Sequence, residues 1–405
     1  MLTKVAWRNI WRNKKRSLII MAAVTIGLWS GMFLMAFYNG MIDQRINLAI
    51  TRELSHLQVH HPEFPADHDI QYVIPEGNRM LSSIEADPET KAAAGRIILR
   101  GMIASATGSS GITINGVIPT KEDQVSGLKG KIIEGTYFRE DQSNDILVSE
   151  KTLNKLKLRL NKKTILTFQD KDGNLASAAF RVCGMYKTFN TPYDETNVFV
   201  EIADVDSLAG VHGQLNEIAI LLQSNEVLDP VQKKLTGRWP DVLIQNWKQL
   251  SPDMSLTVTA GDQMVLIFMS IILLGLAFGI INTMMMSILE RTREIGMLLA
   301  LGMNKLKVFF MILLETFFLI IAGCPTGILL ALGTVAITHK TGLDMEKLTG
   351  AEVYGSFGYD PLIYPSLRLE QLGSILVLII ITALISALFP ARKALTLKPA
   401  ETIKK

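Results

Sequence analysis

The residues best suited to chemistry form one short charged run, Glu290-Arg-Thr-Arg-Glu-Ile-Gly-Met-Leu-Leu-Ala-Leu-Gly302. Charges at Glu290, Arg291, Arg293 and Glu294 precede an apolar stretch, and the closing glycine suits a helix end. Ile295 and Leu299 stand four residues apart and can share one helix face. A short helix with apolar knobs and charged flanks would dock into a groove on a partner, but an ordinary basic loop at a membrane surface would contain the same residue types, and the residues alone do not favour docking. Glu315 is the one acid well inside an apolar stretch, eight residues past Lys307, or ~12 Å along a helix. An acid at such a depth marks a functional candidate, with hydrogen bonding to a neighbouring helix or snorkelling as the plainer readings. His56, His60, His61 and His68 fall within 13 residues. Imidazoles can bind zinc, but His60 and His61 would face opposite sides of a strand. No metal site is expected there. No Ser–His, Cys–His or paired-carboxylate arrangement stands out, so no catalytic residue is assigned. The chain holds no G-x-x-x-x-G-K-[ST] phosphate loop, so it is not read as its own ATPase.

The elements that must position these residues are long and apolar. Residues 17–42 and 263–289 carry no charged side chain, and each would make ~40 Å of helix against a hydrocarbon core of ~30 Å. Further apolar runs lie near 308–338 and 371–391. A chain of 405 residues, 48% hydrophobic, with four such runs does not read as a soluble protein. Small residues repeat at Gly275 and Gly279, Gly323 and Gly327, and Ala383 and Ala387, a spacing that lets helices approach closely. Packing within one bundle is the preferred reading, and a dimer face the alternative.

The net charge of +3 hides an asymmetry. Residues 1–16 hold six bases and no acid, the loop 290–307 four bases and two acids, and the tail 392–405 five bases and one acid. The positive-inside rule puts all three in the cytoplasm and the acidic loop 339–370 outside. The expected order is therefore an amphipathic elbow helix at 1–16, a first span at 17–44, an extracytoplasmic domain at 45–260, and a second span at 261–289. A cytoplasmic helical loop at 290–306, a third span at 307–338, an outer loop at 339–370, a fourth span at 371–391 and a cytoplasmic tail at 392–405 follow. The first span is too long for a cleaved signal peptide. In this topology Cys183 and Cys324 lie apart, so no disulfide is expected. In the elbow, Lys4, Arg8, Arg12 and Arg16 recur every four residues, with Trp7, Ile10 and Trp11 on another face, the composition of an interfacial helix.

The region 45–260 alternates short β-rich pieces with turn signals. SHLQVHH, RIILRGMIAS, GITINGVI, DILVSE, TILTF, FRVCGMY, NVFVEI and LNEIAILL read as strands, and 77–86, 149–159, 204–211 and 227–238 as helices. Lys171-Asp-Gly-Asn174 reads as a hairpin turn. The fold class is an α-helical membrane protein with four transmembrane helices plus a mixed α+β extracytoplasmic domain.

The charged run resembles the E-R-x-x-E-I-G-x-L-x-A-L-G signature of MacB/FtsX-type (type VII) ABC transporter permeases. Trp7-Arg-Asn-Ile-Trp-Arg-Asn-Lys-Lys-Arg-Ser17 is similar to their elbow. Phe389-Pro-Ala-Arg-Lys-Ala-Leu-Thr-Leu-Lys-Pro-Ala-Glu401 is similar to their C-terminal motif, and the segments around 146–201 to their outer-domain strands. Asn161 stands where a glycine is usual, consistent with a turn. The resemblance implies a MacB-like periplasmic core domain and a coupling helix touching the ATPase through Glu290, Arg291, Arg293, Glu294, Ile295, Gly296, Leu299 and Gly302. It implies a structural or coupling role for Glu315. It also implies a separate cytoplasmic ABC ATPase that holds ATP and Mg, a second permease copy or paralogue, and an inner-membrane location. Within the family the chain most resembles the LolC/LolE permeases, which implies release of lipoproteins from the inner membrane. MacB-like export of peptides or small molecules and FtsX-like signalling to a cell-wall hydrolase are the alternatives. LolC-type chains project a proline-containing hairpin towards a periplasmic carrier. QDKDGNLASAAF here is short and lacks proline, which puts carrier docking in question. A periplasmic carrier or adaptor, a lipid or lipoprotein substrate and no nucleic acid complete the expected partners.

Overall fold

The computed structural model describes residues 2–12, 14–139, 142–188, 190–345, 347, 360 and 362–395. In chain order the elements are α1 (Leu2–Arg12), α2 (Lys14–Ala49), a π-helical turn (Ile50–Leu54), β1 (Leu57–His60), α3 (Phe64–Asp67), α4 (Gly77–Glu85), β2 (Thr90–Ala104) and β3 (Ser109–Val117). There follow α5 (Pro119–Ser126), β4 (Ile132–Gly135), β5 (Asp145–Ser149), α6 (Glu150–Leu156), β6 (Lys163–Gln169), β7 (Leu175–Tyr186), α7 (Thr191–Thr196), β8 (Asn197–Glu201), α8 (Ile202–Ala209), β9 (Glu217–Leu222), α9 (Leu228–Arg238), β10 (Leu243–Asn246) and α10 (Trp247–Leu250). The chain then runs through α11 (Pro252–Glu290), α12 (Thr292–Ala300), α13 (Lys305–Thr341), β11 (Leu343–Asp344), β12 (Leu362–Ile363) and α14 (Leu369–Leu395). Two units result. One is helical and takes the chain up to Ile42, Val258–Asp344 and the part from Leu362 onward. The other is mixed α/β and takes Asp43–Thr257 with Met345–Pro361.

Four helices in the described residues, α2, α11, α13 and α14, are long and apolar enough to cross a membrane. Each overruns the expected span, because the polar residues at its ends continue the helix. Their inward faces meet in one apolar core that includes Val24, Leu28, Ile280, Met311, Leu319, Ile320 and Ile379. Polar side chains pin α2 to its neighbours. Thr25 and Thr326 share a hydroxyl hydrogen bond at 2.7 Å, and the Trp29 indole donates to Thr334 at 3.0 Å. The Asn39 amide bonds Gln371. In an apolar medium such polar pairs fix helix register, because an unpaired polar group has no water to turn to.

The α/β unit is organised on β2, which is 15 residues long. It pairs with β3 along one edge and with β9 and then β6 along the other. From β3 the ladder passes to β8, β5, β7 and β6, and so returns to β2. Six strands therefore close on themselves around Ile97, Leu99, Ile114, Ile146, Leu166, Phe180, Val198 and Val200. The other half of β2 opens into an extension, β9–β1–β10, covered by α4, α9 and α10 around Val59, Ile84, Ile218, Ile220 and Val231. Closure removes strand edges on one side, and helices bury both faces of β1 and β9 on the other. The hairpin between β6 and β7 turns at Gly173, whose φ is +85°. Asn161, at φ +62°, occupies the left-handed region that asparagine tolerates.

One buried charge cluster ties the extension to the closed part. The Arg96 guanidinium of β2 donates to both Glu122 oxygens at 2.8 Å and to Glu217 at 2.7 Å. The other Glu217 oxygen lies 3.2 Å from His60 Nε2. Four elements, β2, α5, β9 and β1, meet in this group. Burial opposes the charges on Arg96 and Glu217. The two carboxylates nonetheless hold Arg96 above its ordinary range, and the His60 hydrogen bond with the Arg96 charge holds Glu217 below its own. Removing one partner from such a cluster strands the others. Arg96→Met is therefore expected to destabilise the α/β unit by about 3–5 kcal/mol, read as a lowered urea midpoint by Trp239 and Trp247 fluorescence. A change below about 1 kcal/mol would show the cluster to be solvated.

Candidate functional site

The charged run folds as expected at its end and differently on its faces. α12 closes in a Schellman turn: Met303 N–H donates to Leu298 C=O at 3.0 Å and Gly302 N–H to Leu299 C=O at 3.1 Å. Gly302 has φ +88°, a conformation that disfavours any side chain. Ile295, however, is buried among the bundle's core residues, Gly296 is buried beside it, and Leu299 packs on the same core. The shared face of Ile295 and Leu299 is thus an anchor within this chain, and not the ATPase contact that the family resemblance implied for these two residues. Burying Ile295 in the bundle core removes apolar area from solvent, which a free loop would not do. The outward stripe is Arg293, Met297, Ala300 and Leu301, with Leu301 85% exposed. Met297, Ala300 and Leu301 were missed because periodicity identifies an apolar stripe without saying which side the rest of the chain covers.

A line of ion pairs clamps α12. Arg291 donates through Nε to Glu294 at 3.1 Å and through Nη1 to both Glu315 oxygens at 3.1 and 3.2 Å. Glu294 is also paired with Arg12 of α1, and Arg16 pairs with Glu290 and donates to the Ser287 hydroxyl at 2.9 Å. The Arg12 hydrogen bond, joined by Arg291, holds the Glu294 carboxyl below its ordinary range. Arg291 and Glu315 are almost covered, at 12% and 10% exposed. α1, α12 and α13 are therefore linked by one alternating series of charges, Arg12–Glu294–Arg291–Glu315. α1 is further fixed by Ile10, which is buried, and by Trp7, whose ring meets Phe318 edge-on at 5.6 Å.

The glycine pairs divide. A Cβ at Gly323 would lie 3.0 Å from the Met21 carbonyl, and one at Gly327 3.0 Å from the Leu28 side chain. These two make the close crossing of α13 on α2. Nothing approaches Gly275 or Gly279. That pair looks outward beside Ile271, Leu274 and Phe278, so its assignment to packing within the bundle is corrected. Ala383 and Ala387 are fully buried. The histidines serve local packing. His56 Nδ1 accepts from Leu222 N–H at 3.1 Å, and burial, with Lys91 adding, lowers its pKa to about 4. His60 stacks on Phe64, and His61 on Tyr72. His68 closes α3 at φ +59°. Cys183 and Cys324 are free and buried. Of the C-terminal motif, residues 396–401 lie outside the described residues.

A four-helix membrane unit joined to a closed-sheet α/β domain, with a short helix clamped at one end of the bundle, defines a permease architecture. The model for the MacB-like periplasmic core domain matches residues 17–238, and that for the FtsX-like permease C-terminal region matches residues 266–399. The chain belongs to the FtsX-like permeases that carry a MacB-like periplasmic core domain. It is 28% identical over 235 residues to an uncharacterized ABC transporter permease of Methanocaldococcus jannaschii, covering 56% of this chain and 55% of that one. It is 27% identical over 204 residues to the macrolide export ATP-binding/permease protein MacB of Syntrophobacter fumaroxidans, covering 47% of this chain and 27% of that one. With the lipoprotein-releasing system transmembrane protein LolC of Neisseria meningitidis it shares 22% identity over 331 residues, 77% of this chain and 78% of LolC. The chain spans about half the length, or less, of the first two relatives.

Leucine at position 327 would have to displace α2, at about 1–3 kcal/mol. Gly327→Leu should therefore lower the thermal midpoint of the detergent-solubilised chain by several degrees, whereas Gly275→Leu should leave it unchanged in the monomer. Equal effects would contradict the division of the two pairs.

Proposed function

We propose that the chain is the membrane subunit of an ABC transporter, driven by a separate ATPase that binds ATP and Mg, and that its task is lipoprotein release. The observation carrying the coupling role is the two-sided character of α12. One face is clamped into the bundle through Ile295 and the Arg291–Glu315 pair. The other offers Arg293, Met297, Ala300 and Leu301 to a partner. A helix fixed on one face transmits displacement, whereas a loosely held one would absorb it. α2 and α11, of 36 and 39 residues, outrun a hydrocarbon core of ~30 Å and suit the transfer of that displacement to the α/β domain. In this reading both termini and α12 are cytoplasmic, the α/β domain faces outward from the inner membrane, and two permease copies or paralogues form the working unit.

Support for lipoproteins as the substrate comes from the alignment with LolC, which covers most of both chains. The β6–β7 connection is a tight turn through Asp170 and Gly173, with Asp170 accepting from the Asn174 and Asp172 backbones. Nothing in that turn projects as a hook, so docking of a periplasmic carrier falls to the second permease in this scheme.

Two variants test the coupling surface. Met297→Asp and Leu301→Asp lie outside the clamp and should leave the thermal midpoint intact. Each should weaken co-purification of the ATPase at least about tenfold, as expected for an apolar anchor at an interface, and abolish substrate-stimulated hydrolysis. Mass spectrometry of the same preparation should show a triacylated lipoprotein. Wild-type ATPase retention in both variants would overturn the coupling assignment, and a bound hydrolase or peptide adaptor would overturn the substrate.

A further inference from the structure

A cavity of about 870 Å³ opens where α1 and the start of α2 meet the C-terminal end of α11. Arg12, Lys14, Lys15 and Arg16 line it together with a single acid, Glu290. Arg16 is paired with Glu290, and Arg12 with Glu294. Lys14 and Lys15 are exposed and have no ion-pair partner among the described residues. The cavity thus keeps a surplus of positive charge that the chain does not neutralise. Its remaining wall is apolar, from Ile19 and Met286, with Asn282 offering an amide, while the Thr283 hydroxyl donates to Gly279 C=O at 2.8 Å.

The position of the cavity identifies its occupant. Lys14–Arg16 precede the apolar run that begins at Ser17, and Asn282–Met286 lie within the last two turns of the apolar run that ends at Leu289. The site therefore straddles the boundary between hydrocarbon and water, where phospholipid phosphates lie. A freely soluble phosphate would need the bases but not Ile19 and Met286, which stand 57% and 56% exposed beside them. The geometry points to a binding site for the phosphodiester headgroup of an anionic phospholipid, with Lys14 and Lys15 holding the phosphate and Ile19 and Met286 flanking the first acyl carbons. Basic pockets between transmembrane helices are suited to such headgroups. Because Arg12 also belongs to the clamp on α12 and Arg16 ties α2 to the end of α11, a lipid here would set the charge around the elbow. The inference requires α2 and α11 to lie in a bilayer but does not depend on the ATPase or on the substrate.

The test is native mass spectrometry of the full-length chain in detergent, titrated with phosphatidylglycerol and, separately, phosphatidylcholine. Phosphatidylglycerol should bind about tenfold more tightly. K14Q/K15Q should reduce the preference to about twofold or less without moving the thermal midpoint in phosphatidylcholine, and K14R/K15R should retain it. Equal binding of the two lipids, or an unchanged preference in K14Q/K15Q, would overturn the site. Full displacement of phosphatidylglycerol by millimolar inorganic phosphate would assign it to a soluble anion and overturn the lipid.

Discussion

The ion pair between Arg291 and Glu315 is the interaction on which the placement of α12 in the membrane unit depends. Each group would be costly to cover alone, and each lies where the chain has little water to offer. Together they satisfy one another, and Arg291 reaches back to Glu294 as well. The pair draws the start of α12 onto α13, which puts Ile295 into the core and turns Met297 and Leu301 outward. Without it, α12 is nine residues long, too short to persist as an isolated helix in water. Its helicity is borrowed from the bundle through the clamp.

The α/β domain solves a comparable problem with the same chemistry. β2 belongs at once to a closed ring of strands and to an open extension, and the Arg96–Glu122–Glu217 group stands where the two meet. Apolar packing alone would allow the extension to slip relative to the ring. A buried group of mutually paired charges tolerates one arrangement and penalises others, and such specificity is the best-attested use of buried ion pairs. The domain is therefore suited to moving as a body.

The membrane helices were legible because an uninterrupted apolar run of such length is what a bilayer demands and a soluble core rarely needs. The strands β1, β3, β5, β6, β8 and β9 were legible from their branched and aromatic residues. The first half of β2, Thr90–Gly95, was not, because three consecutive alanines carry no strand signal. β4 and β10, at four residues each, are too short to show a period. α5 and α7 escaped because their polar sequences follow Pro119 and Pro192, which read equally as turns. Ring closure depends on pairings between strands distant in sequence, and nothing local encodes it. Arg12, Arg291 and Glu294 were identifiable as charged residues near a boundary of the apolar runs, and Glu315 as an acid inside one. Their partners were not, since Arg12 and Glu294 are 282 positions apart. The inward turn of Ile295 followed from those pairings and so was equally hidden.

The most direct measurement of the clamp is hydrogen–deuterium exchange over residues 291–303 in the full-length chain, comparing wild type, Glu315→Leu, Arg291→Met and the double variant. If the pair holds α12 in place, each single variant should speed exchange of the Ile295–Met303 amides at least about tenfold, and the double variant, which leaves no charge stranded, should recover much of the protection. Unchanged exchange in the single variants would contradict the account, because α12 would then be held by something other than this pair.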